Sequence, residues 1–287
     1  MRKRRGKPSR VMTGILLVWV FLGVAVFWKI QGAGNKSAPE WRHLAQKANM
    51  ASQARRQQVS PLAPLGGNPG SWPPASGKAL EMARDLTASN YLIVFDGSGS
   101  MGDRQCSGMD SKMNTAREAV KKFIRSLTPS DNVALVGFGG TRGRTNKNSN
   151  TIFEHGFIPA SQPGVIETLD MVYPMGNTPL SQAMKQGYSL LEEQARRQGG
   201  YGEYHMVIIT DGEATDQDPS LMARWIVHSS VVRLHVIGFC LDGRHKLDLP
   251  EYTSYSTADN PSSLDEGLRG VLSESEQFDP AEFMEQP

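Results

Sequence analysis

The sequence predicts an α/β domain with a doubly wound, mostly parallel sheet flanked by helices. Three observations carry this expectation. Tyr91-Leu92-Ile93-Val94-Phe95 is an unbroken apolar, β-prone run. Such a run reads as a strand buried on both faces, the usual state inside a parallel sheet. Similar runs at 132–138, 204–210 and 232–239 alternate with segments of helical periodicity, the mark of strand–helix–strand units. Where the first run ends, polar residues cluster as Asp96-Gly97-Ser98-Gly99-Ser100. The carboxyl ends of strands in such a sheet are where ligands bind.

The chain begins with Arg2, Lys3, Arg4, Arg5, Lys7 and Arg10 and no acid among its first ten residues. Val11 to Trp28 then run without a charge. That length reaches a membrane-spanning helix and exceeds a usual signal-peptide core. The basic cluster outweighs Lys29, Lys36 and Arg42 beyond the span, which places the N-terminus in the cytoplasm and the rest outside. Gly32-Ala33-Gly34 keeps a cleaved signal peptide as the rival reading.

The expected organisation is a cytoplasmic basic tip and transmembrane anchor over 1–30, and a Pro/Gly/polar linker over 31–87. A folded domain over 88–275 and an acidic tail over 276–287 follow. Within the linker, Pro39 to Gln58 reads as a spacer of partial helical character. Pro61, Pro64, Pro69, Pro73 and Pro74 make the next stretch stiff and irregular. Charge follows the same division. Residues 1–77 hold 12 Lys and Arg against the single acid Glu40, whereas residues 78–287 hold 19 against 28 Asp and Glu. The folded part is acidic, which argues against nucleic acid as a partner.

Inside the domain, Lys78 to Ser89 reads as a short entering helix. Met113, Ala116, Val120, Phe123, Ile124 and Leu127 recur at helical spacing, with Asp110 or Ser111 as cap. Thr151 to Ile158 reads as an edge strand, and Val165, Leu169 and Val172 as a short helix. Pro179 suits the first turn of the next helix. Pro219 to Ser229 is helical, Glu251 to Thr257 a last strand and Ser262 to Ser273 a closing helix.

Asp96, Ser98 and Ser100 offer a carboxylate and two hydroxyls from one tight turn. Hard cations such as Mg²⁺ take oxygen ligands of this kind. The segment resembles the DxSxS motif of von Willebrand factor type A domains, the first part of their metal-ion-dependent adhesion site. Thr178 lies in Met175-Gly176-Asn177-Thr178-Pro179-Leu180, which resembles that family's GGTPL-type loop. Asp211 lies in Val207-Ile208-Ile209-Thr210-Asp211-Gly212-Glu213, which resembles its TDGE segment. All three parts stand in the family's order, and the resemblance covers about residues 88 to 275.

The resemblance implies the Rossmann-like fold of that family, here of a membrane-anchored bacterial type preceded by one transmembrane helix. It implies a metal set of Asp96, Ser98, Ser100, Thr178 and Asp211. By analogy, Ser98 and Ser100 ligate directly, and Thr178 does so directly or through water. Asp96 and Asp211 balance charge and hold coordinating waters. One position stays open for an acidic side chain of a partner protein. The expected ion is Mg²⁺, with Mn²⁺ or Ca²⁺ as alternatives.

The expected function is therefore divalent-metal-dependent protein–protein binding, without catalysis. The expected location is the inner membrane, with the domain in the periplasm. One alternative is a structural subunit of an envelope assembly with a stabilising metal. Another is a metal-assisted hydrolase, which would need a general base beside the ion. His155, His205, His228 and His235 are scattered, and His205 and His235 read as packed histidines. Glu213 adjusts the site's charge or is a solvated loop acid. A phosphatase of the haloacid dehalogenase type would need an acid where Ser98 stands. Cys106 and Cys240 are the only cysteines, and both a disulfide and two free thiols remain open readings.

Overall fold

A computed structural model describes residues 71–75, 77, 80–141, 151–241 and 243–275. The expected anchor, most of the linker, and the acidic tail lie outside the described residues. Among the described residues, no helix is long and apolar enough to cross a membrane.

Six strands form one sheet: β1 (Ser89–Gly97), β2 (Asn132–Gly139), β3 (Thr151–Pro159), β4 (Glu203–Thr210), β5 (Arg233–Phe239) and β6 (Ser254–Ala258). Their spatial order is β3-β2-β1-β4-β5-β6. All neighbours pair parallel except β2 and β3. Among the described residues, five α-helices pack with the sheet: α1 (Lys112–Ser126), α2 (Gly164–Met171), α3 (Leu180–Arg197), α4 (Pro219–Ser229) and α5 (Pro261–Ser275), the last of which follows β6.

The alternation of side chains along β1 divides the core. Tyr91, Ile93 and Phe95 pack with α1, α2 and α5 in one layer. Leu92 and Val94 pack with α3 and α4 in the other. Both faces of β1 are thereby covered, which is why its apolar run is continuous rather than alternating. The chain leaves β1 toward β2 on one side, while β4 lies on the other. The sheet therefore has its switch point between β1 and β4, where doubly wound sheets open a crevice.

Two expectations differ from the structure. Residues 80–87, expected as helix, are irregular. Here the Asp85 carboxylate accepts both the N–H and the O–H of Thr87, at 2.9 and 3.0 Å. Such local bonds compete with helical ones. The last strand starts at Ser254 rather than Glu251. Thr253 is drawn into a turn instead, its hydroxyl donating to the Leu247 carbonyl at 2.6 Å.

Ahead of residue 88, one side chain of the expected linker is packed. Trp72 is buried in the α3 and α4 layer. Its indole N–H donates to the Tyr188 hydroxyl at 3.0 Å, and its ring meets Tyr204 edge-on with centroids 5.0 Å apart. A large aromatic ring here finds an apolar slot with a polar rim.

Candidate functional site

Asp96 stands at the carboxyl end of β1, and Asp211 follows the last residue of β4. The two strands pair in register, Phe95 opposite Ile209, so adjacent strands deliver both carboxylates to one spot. Gly97 has no room for a side chain. A Cβ there would collide with the Phe138 carbonyl oxygen and with Val172. Gly99 is less constrained, since a Cβ would meet the Gly176 oxygen at an ordinary 3.5 Å.

The polar groups form one hydrogen-bonded cluster. The Asp96 carboxylate accepts the Ser98 N–H at 2.7 Å and the Thr210 hydroxyl at 2.6 Å. The Ser98 and Ser100 hydroxyls lie 3.1 Å apart. Ser100 donates to Asp211 at 2.8 Å. Asp96 and Ser98 are buried while Ser100 is exposed, so the cluster opens to solvent on one side.

Thr178 is brought in by its loop. The Gly99 N–H donates to the Gly176 carbonyl at 3.1 Å, and the Met175 N–H to that of Gly97 at 3.0 Å. On the other side, the Thr178 N–H donates to the Thr215 hydroxyl at 3.0 Å, and the Thr215 N–H returns to the Thr178 carbonyl at 2.9 Å. The Asp216 carboxylate accepts the N–H groups of Ser181 and Gln182, at 3.3 and 2.8 Å, and so caps α3. The three stretches singled out in the sequence thus meet at one end of the sheet.

Electrostatics at this point are unbalanced. Burial, and then the Asp211 charge, push the Asp96 carboxyl up to about 6 from an ordinary value of 3.8. A group held this way resists carrying its charge, and a nearby cation relieves it. Among the described residues, no cluster of three or more His, Cys, Asp and Glu is placed to hold a metal. The donor set here is instead carboxylate plus hydroxyl, which suits a hard cation and not a soft one.

Sequence reasoning missed three members of the arrangement. Lys112, the first residue of α1, sends its ammonium to the second oxygen of Asp211 at 3.0 Å, with both side chains buried. Its signal was faint: a basic residue four before Ala116, in the register of the apolar stripe. Thr210 orients Asp96, as given above. His245 supports the loop after Asp211. Its Nδ1 accepts the Leu247 N–H at 3.1 Å, which leaves the proton on Nε2 to donate to the Gly212 carbonyl at 3.0 Å.

Other residues fall elsewhere. His205 and His235 are buried in the sheet with ring nitrogens 3.0 Å apart, and His205 stacks on Tyr91. His228 lies against the ring of Tyr252 and His155 bonds the Gly156 carbonyl. Glu213 is exposed and accepts the Lys246 N–H at 3.3 Å. The two cysteines form a disulfide, Cys106–Cys240, with Cα atoms 6.0 Å apart. Both have left-handed backbones, φ 44° and 57°. The bridge ties the loop before α1 to the end of β5, at the rim of the site.

The model of the von Willebrand factor type A domain matches residues 91–265. The uncharacterized protein YwmC of Bacillus subtilis (strain 168) is 27% identical over 158 residues, covering 53% of this chain and 66% of YwmC. YwmD of the same organism is 27% identical over 186 residues, covering 60% of this chain and 80% of YwmD. Among solved structures, the pilus adhesin SpaC of Lactobacillus rhamnosus GG matches with a TM-score of 0.53 at 16% identity, covering 68% of this chain. This chain spans only 31% of the SpaC chain, and just under two thirds of YwmC. A von Willebrand factor type A protein of Catenulispora acidiphila matches with a TM-score of 0.50 at 18% identity, over 66% of this chain and 43% of that one. At these identities the structural likeness is one of fold.

Proposed function

Because the chain belongs to the von Willebrand factor type A family, we propose that it is a divalent-metal-dependent protein-binding module. The observation that carries this reading is the single oxygen cluster of Asp96, Ser98, Ser100 and Asp211, open to solvent at Ser100. Ser98 and Ser100 would hold the ion through their hydroxyls, with Thr178 completing the protein's share. Asp96 and Asp211 would supply the balancing charge, and Mg²⁺ is the ion proposed. When bound, the ion supplies a Lewis-acid position to which a carboxylate of a partner protein can add. Neutral hydroxyls leave much of its charge unspent. Thr210 and His245 keep Asp96 and the Gly212 loop in place during this exchange.

Binding rather than catalysis is the task proposed. The histidines packed in the sheet are poorly placed to serve as a base, since His205 and His235 are buried, His205 Nδ1 bonds His235 Nε2, and His205 Nε2 faces Glu203. Of the proteins sharing the fold, SpaC is a pilus adhesin, a binding protein by its name.

The proposal extends to placement. Val11 to Trp28 would anchor the chain in the inner membrane, N-terminus in the cytoplasm, and hold the domain in the periplasm. Calorimetric titration of the purified full-length chain with Mg²⁺, beside Asp96→Ala, tests the ion. Saturable binding that vanishes in the variant supports the reading. Identical heats from both chains overturn it.

A further inference from the structure

The reading of Asp96 and Asp211 as two carboxylates facing a divalent ion leaves out the third charge in the cluster. We infer that Lys112 is a resident cation of this site: its ammonium contends with the divalent ion for Asp211, and it makes ion and partner carboxylate bind cooperatively. This rests on the metal-dependent reading above and refines it.

The geometry is specific. Each of the four carboxylate oxygens already has a donor. Asp96 takes the Ser98 N–H and the Thr210 hydroxyl. Asp211 takes the Ser100 hydroxyl on one oxygen and the Lys112 ammonium on the other, at 2.8 and 3.0 Å. The Lys112 and Asp211 side chains are only 4% and 0% exposed. A buried ammonium is costly unless it is paired, so Lys112 is committed to this partner.

Its position is also held from outside the cluster. The Lys112 N–H donates to the Asp103 carbonyl at 2.8 Å, and Ser111 caps α1 by accepting the Asn114 N–H at 3.2 Å. The loop between those points carries Cys106, which is bridged to Cys240. Lys112 therefore enters the site from a fixed helix end rather than from a loose loop.

Two carboxylates and one ammonium leave the ion-free site at one net negative charge, not two. A divalent ion is drawn less strongly than it would be by two carboxylates alone. Once it binds, the site carries one net positive charge instead of none. That surplus favours an incoming carboxylate. Lys112 thus lowers affinity for the ion alone and raises affinity for the partner once the ion is present. By linkage, the carboxylate must strengthen ion binding by the same factor.

The test is calorimetric titration of the full-length chain with Mn²⁺, with and without acetate as the carboxylate probe. Wild type is compared with Lys112→Gln, Lys112→Met and Lys112→Arg, and thermal melts establish that each variant is folded. In Lys112→Gln and Lys112→Met, Mn²⁺ alone should bind about tenfold tighter or more. The melting temperature should rise further on adding Mn²⁺ than it does in wild type. Acetate should strengthen Mn²⁺ binding in wild type and in Lys112→Arg, and much less in the neutral variants.

Equal Mn²⁺ affinity in wild type and in folded Lys112→Gln overturns the assignment of Lys112 while leaving the metal reading intact. An acetate effect that survives in both neutral variants overturns it as well. Absence of Mn²⁺ binding from every chain, with and without acetate, overturns the metal reading and this inference together. A neutral variant that melts only when Mn²⁺ is withheld supports the inference, because the ion then replaces the missing ammonium.

Discussion

At its amino-terminal end β1 carries Asn90, and at its carboxyl-terminal end Asp96. Both are fully buried, yet their surroundings differ in kind. The Asn90 amide nitrogen donates to the Ala88 and Glu203 carbonyls and to the Gln198 side chain, at 2.7 to 2.9 Å. Its oxygen accepts from Asn132 and Gln194, both at 3.1 Å. Every side chain in it is a neutral amide, so the network carries no charge and is hydrogen-bonded without any ligand. The Asp96 end is hydrogen-bonded too, but it holds two carboxylates, and one of them is pushed toward the neutral form. A finished polar network reads as architecture, and one whose charge is left over reads as a site.

That contrast can be broken by substitution and by pH. The largest effect is expected at the amino-terminal end. Asn90→Ala strands the Gln194, Gln198 and Asn132 side chains and should cost about 3 kcal/mol or more, measured by urea unfolding. Mg²⁺ affinity of the surviving folded fraction should not change. A loss of ion binding without loss of stability would reverse the assignment of the two ends.

Acid sharpens the comparison, because the two halves respond with opposite signs. Burial, together with the neighbouring His235 and Arg233, pushes His205 down to about 3 from 6.5. Above pH 6.5 both folded and unfolded chains hold it neutral. As pH falls from 6.5 toward 3, the unfolded chain takes up the proton first and stability is lost, by about 2 kcal/mol near pH 5 at the limiting slope. Glu203, at 3.4 Å from Nε2, also faces this ring. His205→Phe, which keeps the stack on Tyr91, should flatten this acid limb in pH-dependent melts.

Asp96 works the other way. Its folded value of about 6 lies above the ordinary 3.8, so its contribution is fully favourable below 3.8 and is lost as pH rises through about 6. Asp96→Asn should therefore stabilise the ion-free chain by about 1 kcal/mol net at pH 8, because the roughly 3 kcal/mol of the shift is offset by a donor that the Asn amide nitrogen cannot accept, with the gain gone near pH 4. It should also abolish the Mg²⁺ heat.

Much of this was legible in the sequence where the signal is local. The Tyr91–Phe95 run, the polar turn after it and the helix of Pro219–Ser229 depend on neighbours along the chain, and these emerged at or near their expected places. What was not legible depends on partners across the fold. Periodicity says which face a residue occupies but not what meets it there. Lys112 lies in an apolar register because a carboxylate 99 residues away waits for it. Trp72 sits in a stretch of proline and glycine that reads as linker, and its slot is built by Tyr188 and Tyr204. The disulfide joins two cysteines 134 residues apart whose Cα atoms come within 6.0 Å, a matter of loop geometry that composition does not encode.

The strand that bears Asp96 also begins where the chain enters the sheet, at Ser89. A partner held at Ser98 and a chain held upstream of Ser89 would therefore pull on opposite ends of the same nine-residue strand. Tension of that kind runs along β1 and loads its bonds to β2 and β4 in shear, all together rather than one after another. β1 is paired on both sides, over eight residues with β2 and seven with β4. On the proposed reading, a domain of this design resists traction best along the line that joins Ser98 to the chain ahead of Ser89.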